Sequence, residues 1–156
     1  MIKGSRNQVK TEKMAEPEKI DTSKPATILL VEDDELHLKL TETFLRNGGH
    51  KVIPFLSPND ALEYCKEENP EIHVLLTDVI MPEINGKYLS ERIEKIRTDV
   101  KTIFMSGYAA NLIAHRGLLD GNASFINKPF TMKELLGKIQ ELSFPDGFAR
   151  QGCMSI

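Results

Sequence analysis

Glu71-Ile-His-Val-Leu-Leu-Thr-Asp78 is an apolar run that ends in a carboxylate. Such a run, with no solvated stripe, fits a strand buried on both faces of a parallel sheet. Val79-Ile-Met-Pro-Glu-Ile-Asn-Gly86 follows as a loop, punctuated by Pro82 and the turn dipeptide Asn85-Gly86. A carboxylate placed where a buried strand meets its loop lies at the carboxyl edge of the sheet. Open α/β folds bind their ligands there.

Outward from that run the chain alternates strand and helix. Thr27–Val31 is a continuous apolar strand, and Asp34 is placed to cap a helix reaching about Asn47, with Leu36, Leu40 and Phe44 four apart as its apolar face. Gly48-Gly49 stops that helix. Lys51–Phe55 is a second strand, and Pro54, which lacks a ladder N–H, puts it at an edge. Ser57-Pro58 opens a helix ending near Glu68, the serine as N-cap and the proline at the first helical position. A third helix after Asn85-Gly86 carries Leu89, Ile93 and Ile96 inward. Residues 101–105 form a fourth strand running into Ser106-Gly107. A weaker helix over 111–119 has few apolar positions (Leu112, Ile113, Leu118, Leu119). Ser124–Asn127 is the fifth strand, followed by Lys128-Pro129. The last helix begins near Thr131 and places Met132, Leu135, Leu136, Ile139 and Leu142 on one face. Five strands alternating with five helices predict an α/β, flavodoxin-like, doubly wound parallel sheet with right-handed crossovers. The order 2-1-3-4-5 is favoured because it leaves the Pro54 strand at an edge.

At 156 residues the chain suffices for one domain with a real core and is too short for two comfortable ones. The net charge of −3 lacks the basic footprint of a nucleic-acid binder, so no nucleic-acid partner is expected. No secretory segment occurs, and no apolar run approaches the ~20 residues that span a bilayer, so a cytoplasmic chain without a membrane span is expected. Residues 1–25 are polar and read as a disordered leader or linker; Lys3, Arg6, Lys10 and Lys13 are offset there by Glu12, Glu16 and Glu18. Residues 144–156 read as a short tail, leaving 26–143 as the domain. No DNA-binding effector is expected after Leu142, so output falls to a protein partner or to another domain of a longer parent chain. Two cysteines make no disulfide framework: Cys65 is expected in the core, Cys153 in the tail. The four histidines lack metal-ligand spacing.

Each polar feature has a plain explanation on its own. Glu32-Asp33-Asp34-Glu35 would be a solvated loop with a helix cap, Asp78 a turn former, Ser106 a cap, and Lys128-Pro129 a loop dipeptide. The strand order changes that reading, because it brings all of them to one rim. Three converging carboxylates repel unless a counter-charge joins them. A hard divalent cation, Mg²⁺ with Mn²⁺ as the alternative, is the natural one, since Mg²⁺ takes one or two carboxylates, waters and phosphate oxygens. Ser106 and Lys128 then supply a hydroxyl donor and a point charge for a phosphoryl group. The set suits phosphoryl transfer onto Asp78.

Ile28-Leu-Leu-Val-Glu-Asp-Asp-Glu35, Leu76-Thr-Asp-Val-Ile-Met-Pro82, Phe104-Met-Ser-Gly107 and Phe125-Ile-Asn-Lys-Pro-Phe130 resemble the receiver domain of two-component response regulators. The likeness covers about residues 26–143 and, in style, is greatest for receivers at the C-terminus of hybrid sensor histidine kinases. It implies a regulatory phosphoacceptor rather than an enzyme: Asp78 takes phosphate from a phosphohistidine on a sensor histidine kinase or histidine phosphotransfer protein. It further implies that Asp33, Asp78 and the Ile80 backbone carbonyl hold Mg²⁺, with Glu32 acting through water. Ser106, Gly107 and Lys128 would bind the phosphoryl group, and Ser106 and Phe125 would form the switch. Lys128-Pro129 is often cis in the family. The face made by the 111–119 helix, the Ser124–Asn127 strand and the last helix, with Tyr108, Leu112 and Ile113 as candidates, would meet the downstream protein partner.

Several positions depart from the commoner pattern. Glu32 stands for Asp, Ser106 for Thr, and Phe125 for Tyr, so any signal through Phe125 rests on burial and not on a phenolic hydrogen bond. Ile80, two residues past the nucleophile, cannot orient an attacking water, which predicts slow self-dephosphorylation. Nor can it serve as the acid that a haloacid-dehalogenase phosphatase needs there. A phosphorylation-independent adaptor would be expected to lack the nucleophile, a metal acid or the lysine. Dinucleotide and nucleotide binding lack their glycine-rich motifs.

Overall fold

A computed structural model describes residues 24–107 and 124–143. The leader, the expected 111–119 helix with Tyr108, Leu112, Ile113 and His115, and the tail with Cys153 lie outside the described residues, apart from Lys24 and Pro25 of the leader. The described chain runs β1 (Thr27–Val31), α1 (Glu35–Asn47), β2 (Lys51–Phe55), α2 (Pro58–Glu68), β3 (Val74–Asp78), α3 (Gly86–Ile96), β4 (Lys101–Ser106), β5 (Ser124–Asn127) and α4 (Met132–Ser143). All strand pairs are parallel, in the order β2-β1-β3-β4-β5. Among the described residues, β2, with Pro54 opposite Leu30, is bonded on one side only, to β1.

Alternation along the strands divides two cores. Ile28, Leu30, Val74, Leu76, Ile103, Met105 and Ile126 face α1 and α4 and pack with Leu38, Leu45, Leu135, Leu136 and Ile139. Leu29, Val31 and Leu75 face α2 and α3, meeting Ala61, Cys65, Leu89 and Ile93. β3 is buried at every position, as its apolar run requires. Helix starts follow local chemistry. Asp34 accepts from the His37 N–H, Ser57 from Asp60, and Asn85 from Tyr88. Thr131 and Glu134 exchange side-chain-to-backbone bonds ahead of α4, at 3.1 and 2.9 Å, as a reciprocal capping box.

The buried face of α1 differs from the sequence expectation. Leu38, Thr41 and Leu45 are buried, while Leu36 and Leu40 are 74% and 50% exposed and Phe44 is half-buried. A four-residue step advances about 40° around the helix, so two such steps drift off a face that alternating three- and four-residue steps hold. Thr41 hid that stripe.

Candidate functional site

Glu32, Asp78 and Lys128 each stand two residues beyond Leu30, Leu76 and Ile126, which belong to one core cluster. Two-residue alternation therefore sends all three toward the same face at the carboxyl rim. The ladders continue to that rim: Glu32 N–H donates to Phe55 O, Val79 N–H to Met105 O, and Lys128 N–H to Ser106 O.

The result is a tight charged trio. Lys128 Nζ lies 2.6 Å from Glu32 Oε2 and 2.6 Å from Asp78 Oδ1. Glu32 and Asp78 are buried, and Glu32 Oε1 also accepts from the Asp34 N–H at 3.2 Å. Asp33 is exposed beside them, and one carboxylate oxygen from each of Glu32, Asp33 and Asp78 lies within 4.8 Å of the others. Burial, and then Glu32 alongside, push the Asp78 carboxyl up to about 8 against the pull of Lys128. Burial also works against Glu32 as an anion, but hydrogen bonds with Asp78 and Lys128 outweigh it and leave Glu32 below the ordinary range. The same two carboxylates outweigh burial at Lys128 and hold its ammonium above the usual range. One ammonium thus serves two buried acids, and burial beside Glu32 favours the protonated form of Asp78. An all-oxygen cluster of this kind fits a hard divalent cation, which would take the place of that proton.

Other expected site residues fall as follows. Ser106 is buried at the end of β4, and its hydroxyl donates to Asn127 Oδ1 at 3.0 Å, so its bond is to β5 and not to Asp78. Gly107 follows at the exposed rim, with open space where a Cβ would stand. Phe125 is half-buried against Val79 and Phe104, its ring centroid 5.7 Å from that of Phe104. Ile80 is on the loop after β3 with its side chain 60% exposed. The Lys128-Pro129 bond is cis.

Four supporting residues escaped the sequence reading. Thr77 is buried, and its hydroxyl donates to the Asp78 carbonyl at 3.1 Å. Gly86, read as half of a turn dipeptide, opens α3 so close to β3 that a Cβ would stand 2.1 Å from the Asp78 carbonyl oxygen. Glu83 accepts from Ser57 Oγ and Asn59 Nδ2, tying the loop after Asp78 to the start of α2. Asn127 receives the Ser106 hydroxyl. Of these, the Asn-Gly pair alone carried a sequence signal, and it pointed to a turn.

The family model of the response regulator receiver domain matches residues 28–140. The chain belongs to the receiver-domain family of two-component signalling. Sensor kinase CckA of Brucella abortus (strain 2308) is 35% identical to this receiver over 122 residues, 78% of this chain but 13% of that protein. Response regulator receiver protein CpdR of the same strain is 32% identical over 115 residues, 74% of this chain and 94% of its own length. A solved CheY-like receiver from Methanospirillum hungatei JF-1 shares the fold with a TM-score of 0.65 at 30% identity, covering 76% of this chain and 93% of that one. The receiver therefore spans nearly all of one such relative and a small part of another. Among its described residues, no helix is long and apolar enough to cross a membrane.

Proposed function

We propose that Asp78 is the phosphoacceptor of a two-component phosphorelay and that this domain, residues 26–143, works as a signalling switch rather than an enzyme. The observation that carries the reading is Lys128 Nζ at 2.6 Å from both Glu32 and Asp78, with Asp33 adjoining. An Asp78 carboxylate oxygen forms the new P–O bond as the P–N bond to a donor imidazole breaks, and the bonding pair leaves on the ring nitrogen. Lys128 then moves its charge to a phosphoryl oxygen, and Ser106 and Gly107 complete the cradle. Mg²⁺ when bound supplies positive charge beside the transferring group; Asp33, Asp78 and the Ile80 carbonyl would hold it, with Glu32 through water.

The donor is a phosphohistidine on a sensor histidine kinase or a histidine phosphotransfer protein. A cavity of about 340 Å³ between α1 and the loop after β5 is lined by His37, Leu40, Phe44, Lys128, Pro129 and Phe130. Leu36 and Leu40 are exposed on α1, where a helix carrying the phosphohistidine could bury them while its imidazole reaches Asp78. Once phosphorylated, the switch passes through Ser106 and Phe125 toward the face that includes β5 and α4, where a downstream protein partner binds.

Incubation with Mg²⁺ and acetyl phosphate tests the core of this reading. Intact mass should rise by one phosphoryl group in the wild type and stay unchanged in Asp78→Asn. A wild type that takes up none, or an Asp78→Asn chain labelled equally well, overturns it.

A further inference from the structure

Ser106 and Asn127 close the β4–β5 register as directly opposed residues. Ser106 is buried, and its hydroxyl donates to Asn127 Oδ1 at 3.0 Å. Two positions back on the same side of the strands, Phe104 opposes Phe125 in register with the rings in contact. The backbone at this end is already fixed, since Lys128 N–H donates to Ser106 O at 2.8 Å. What remains free to change is the direction of the serine side chain.

A serine hydroxyl has one proton to donate, and phosphoryl oxygens only accept. The proton given to Asn127 is therefore the one that a phosphoryl group on Asp78 needs from Ser106. We propose that Asn127 is a positioning residue, holding the Ser106 hydroxyl in a resting arrangement that phosphorylation must break. The proposal rests on the reading of Asp78 as phosphoacceptor with Ser106 as its hydroxyl ligand. Asn127 itself is exposed, and its side chain bonds to Ser106 while Lys128 holds Glu32 and Asp78. Its place in the chain, between Phe125 and Lys128, ties release of the serine to the strand that carries the aromatic ring and leads into the lysine.

Beryllofluoride with Mg²⁺, which mimics an aspartyl phosphate, reads the competition directly by titration. Asn127→Ala and Asn127→Val both lack the acceptor and should bind beryllofluoride about two- to tenfold more tightly, the span of one neutral hydrogen bond. In a Ser106→Ala background the same substitutions should have no effect, a coupling that a merely structural role for Asn127 would not produce. Unchanged or weaker binding in both Asn127 variants, or a gain that persists without the serine hydroxyl, overturns the positioning role. Acetyl phosphate labelling separates the two levels. A wild type that labels on Asp78 while the Asn127 variants bind as the wild type does removes this proposal alone; a wild type that fails to label removes the phosphoacceptor reading and this proposal with it.

Discussion

At the scale of single residues, the site is governed by one cation shared between two buried acids. Glu32 has a longer arm than aspartate, and here that arm reaches Lys128 directly at 2.6 Å while its other oxygen takes the Asp34 N–H. The sequence placed Glu32 at the rim; its engagement with the lysine depends on side-chain reach that residue order does not carry. Ile80 makes the opposite point, because its chemistry is legible from identity alone. It is 60% exposed two residues past Asp78, and its side chain offers no hydrogen bond to a water attacking the proposed aspartyl phosphate. Ile80→Asn supplies one, and a net hydrogen bond of ~1 kcal/mol corresponds to about a fivefold change in rate. The phosphorylated variant should therefore lose its label about five times faster than the wild type, measured by intact mass after removal of the donor. An unchanged lifetime would show that water orientation at this position does not limit hydrolysis.

At the scale of elements, what the sequence revealed and what it hid have separate causes. Strand order, helix starts and the Pro54 edge were readable because each rests on local chemistry: apolar runs, cap residues, a missing N–H. The inward face of α1 was misread because its drifting leucines looked more apolar than the stripe containing Thr41. Those misread leucines now mark a surface. Leu40→Asp should slow transfer from a phosphohistidine carrier about tenfold relative to labelling of the same variant by acetyl phosphate, if that surface seats the carrier. An equal ratio in variant and wild type would move the docking site elsewhere. Gly86 was misread for a different reason, since a turn glycine and a close-approach glycine look alike in sequence. Gly86→Ala would drive a Cβ into the Asp78 carbonyl, and backbone cannot yield as a flexible side chain does. It should cost about 1–3 kcal/mol in urea unfolding and slow labelling of Asp78 as the end of β3 shifts. Gly137 in α4 has nothing within 4 Å of its missing Cβ, so Gly137→Ala should stabilise by about 0.5–1 kcal/mol instead. The contrast separates close approach from helix propensity.

At the scale of the whole molecule, the fold gathers acids at one rim and must carry their charge. Asp78, raised to about 8, keeps a proton in the folded chain at pH values where the unfolded chain has lost it. Its effect is a stability that falls as pH rises from its unfolded value of 3.8 toward 8. Glu32 runs the other way: held low, it contributes above its unfolded value of 4.5, and that contribution is lost as pH falls. Lys128, held high, contributes throughout the neutral range and loses its part only above 10.5. His50 accepts the Ala26 N–H through Nδ1, and burial lowers its pKa, so its contribution is present above 6.5 and lost as pH falls below that. Of these four groups, Asp78 alone changes charge between pH 6.5 and 8. In EDTA the wild-type Tm should therefore decline across that interval, while Asp78→Asn stays flat. Mg²⁺ favours the ionised trio, so its stabilising effect should be larger at pH 8 than at pH 6.5, and Asp33→Asn should reduce it at both. A wild-type Tm that is level across the interval would show that Asp78 is already ionised in the resting protein. A Mg²⁺ effect of equal size at both pH values would show that the cation does not take the place of its proton.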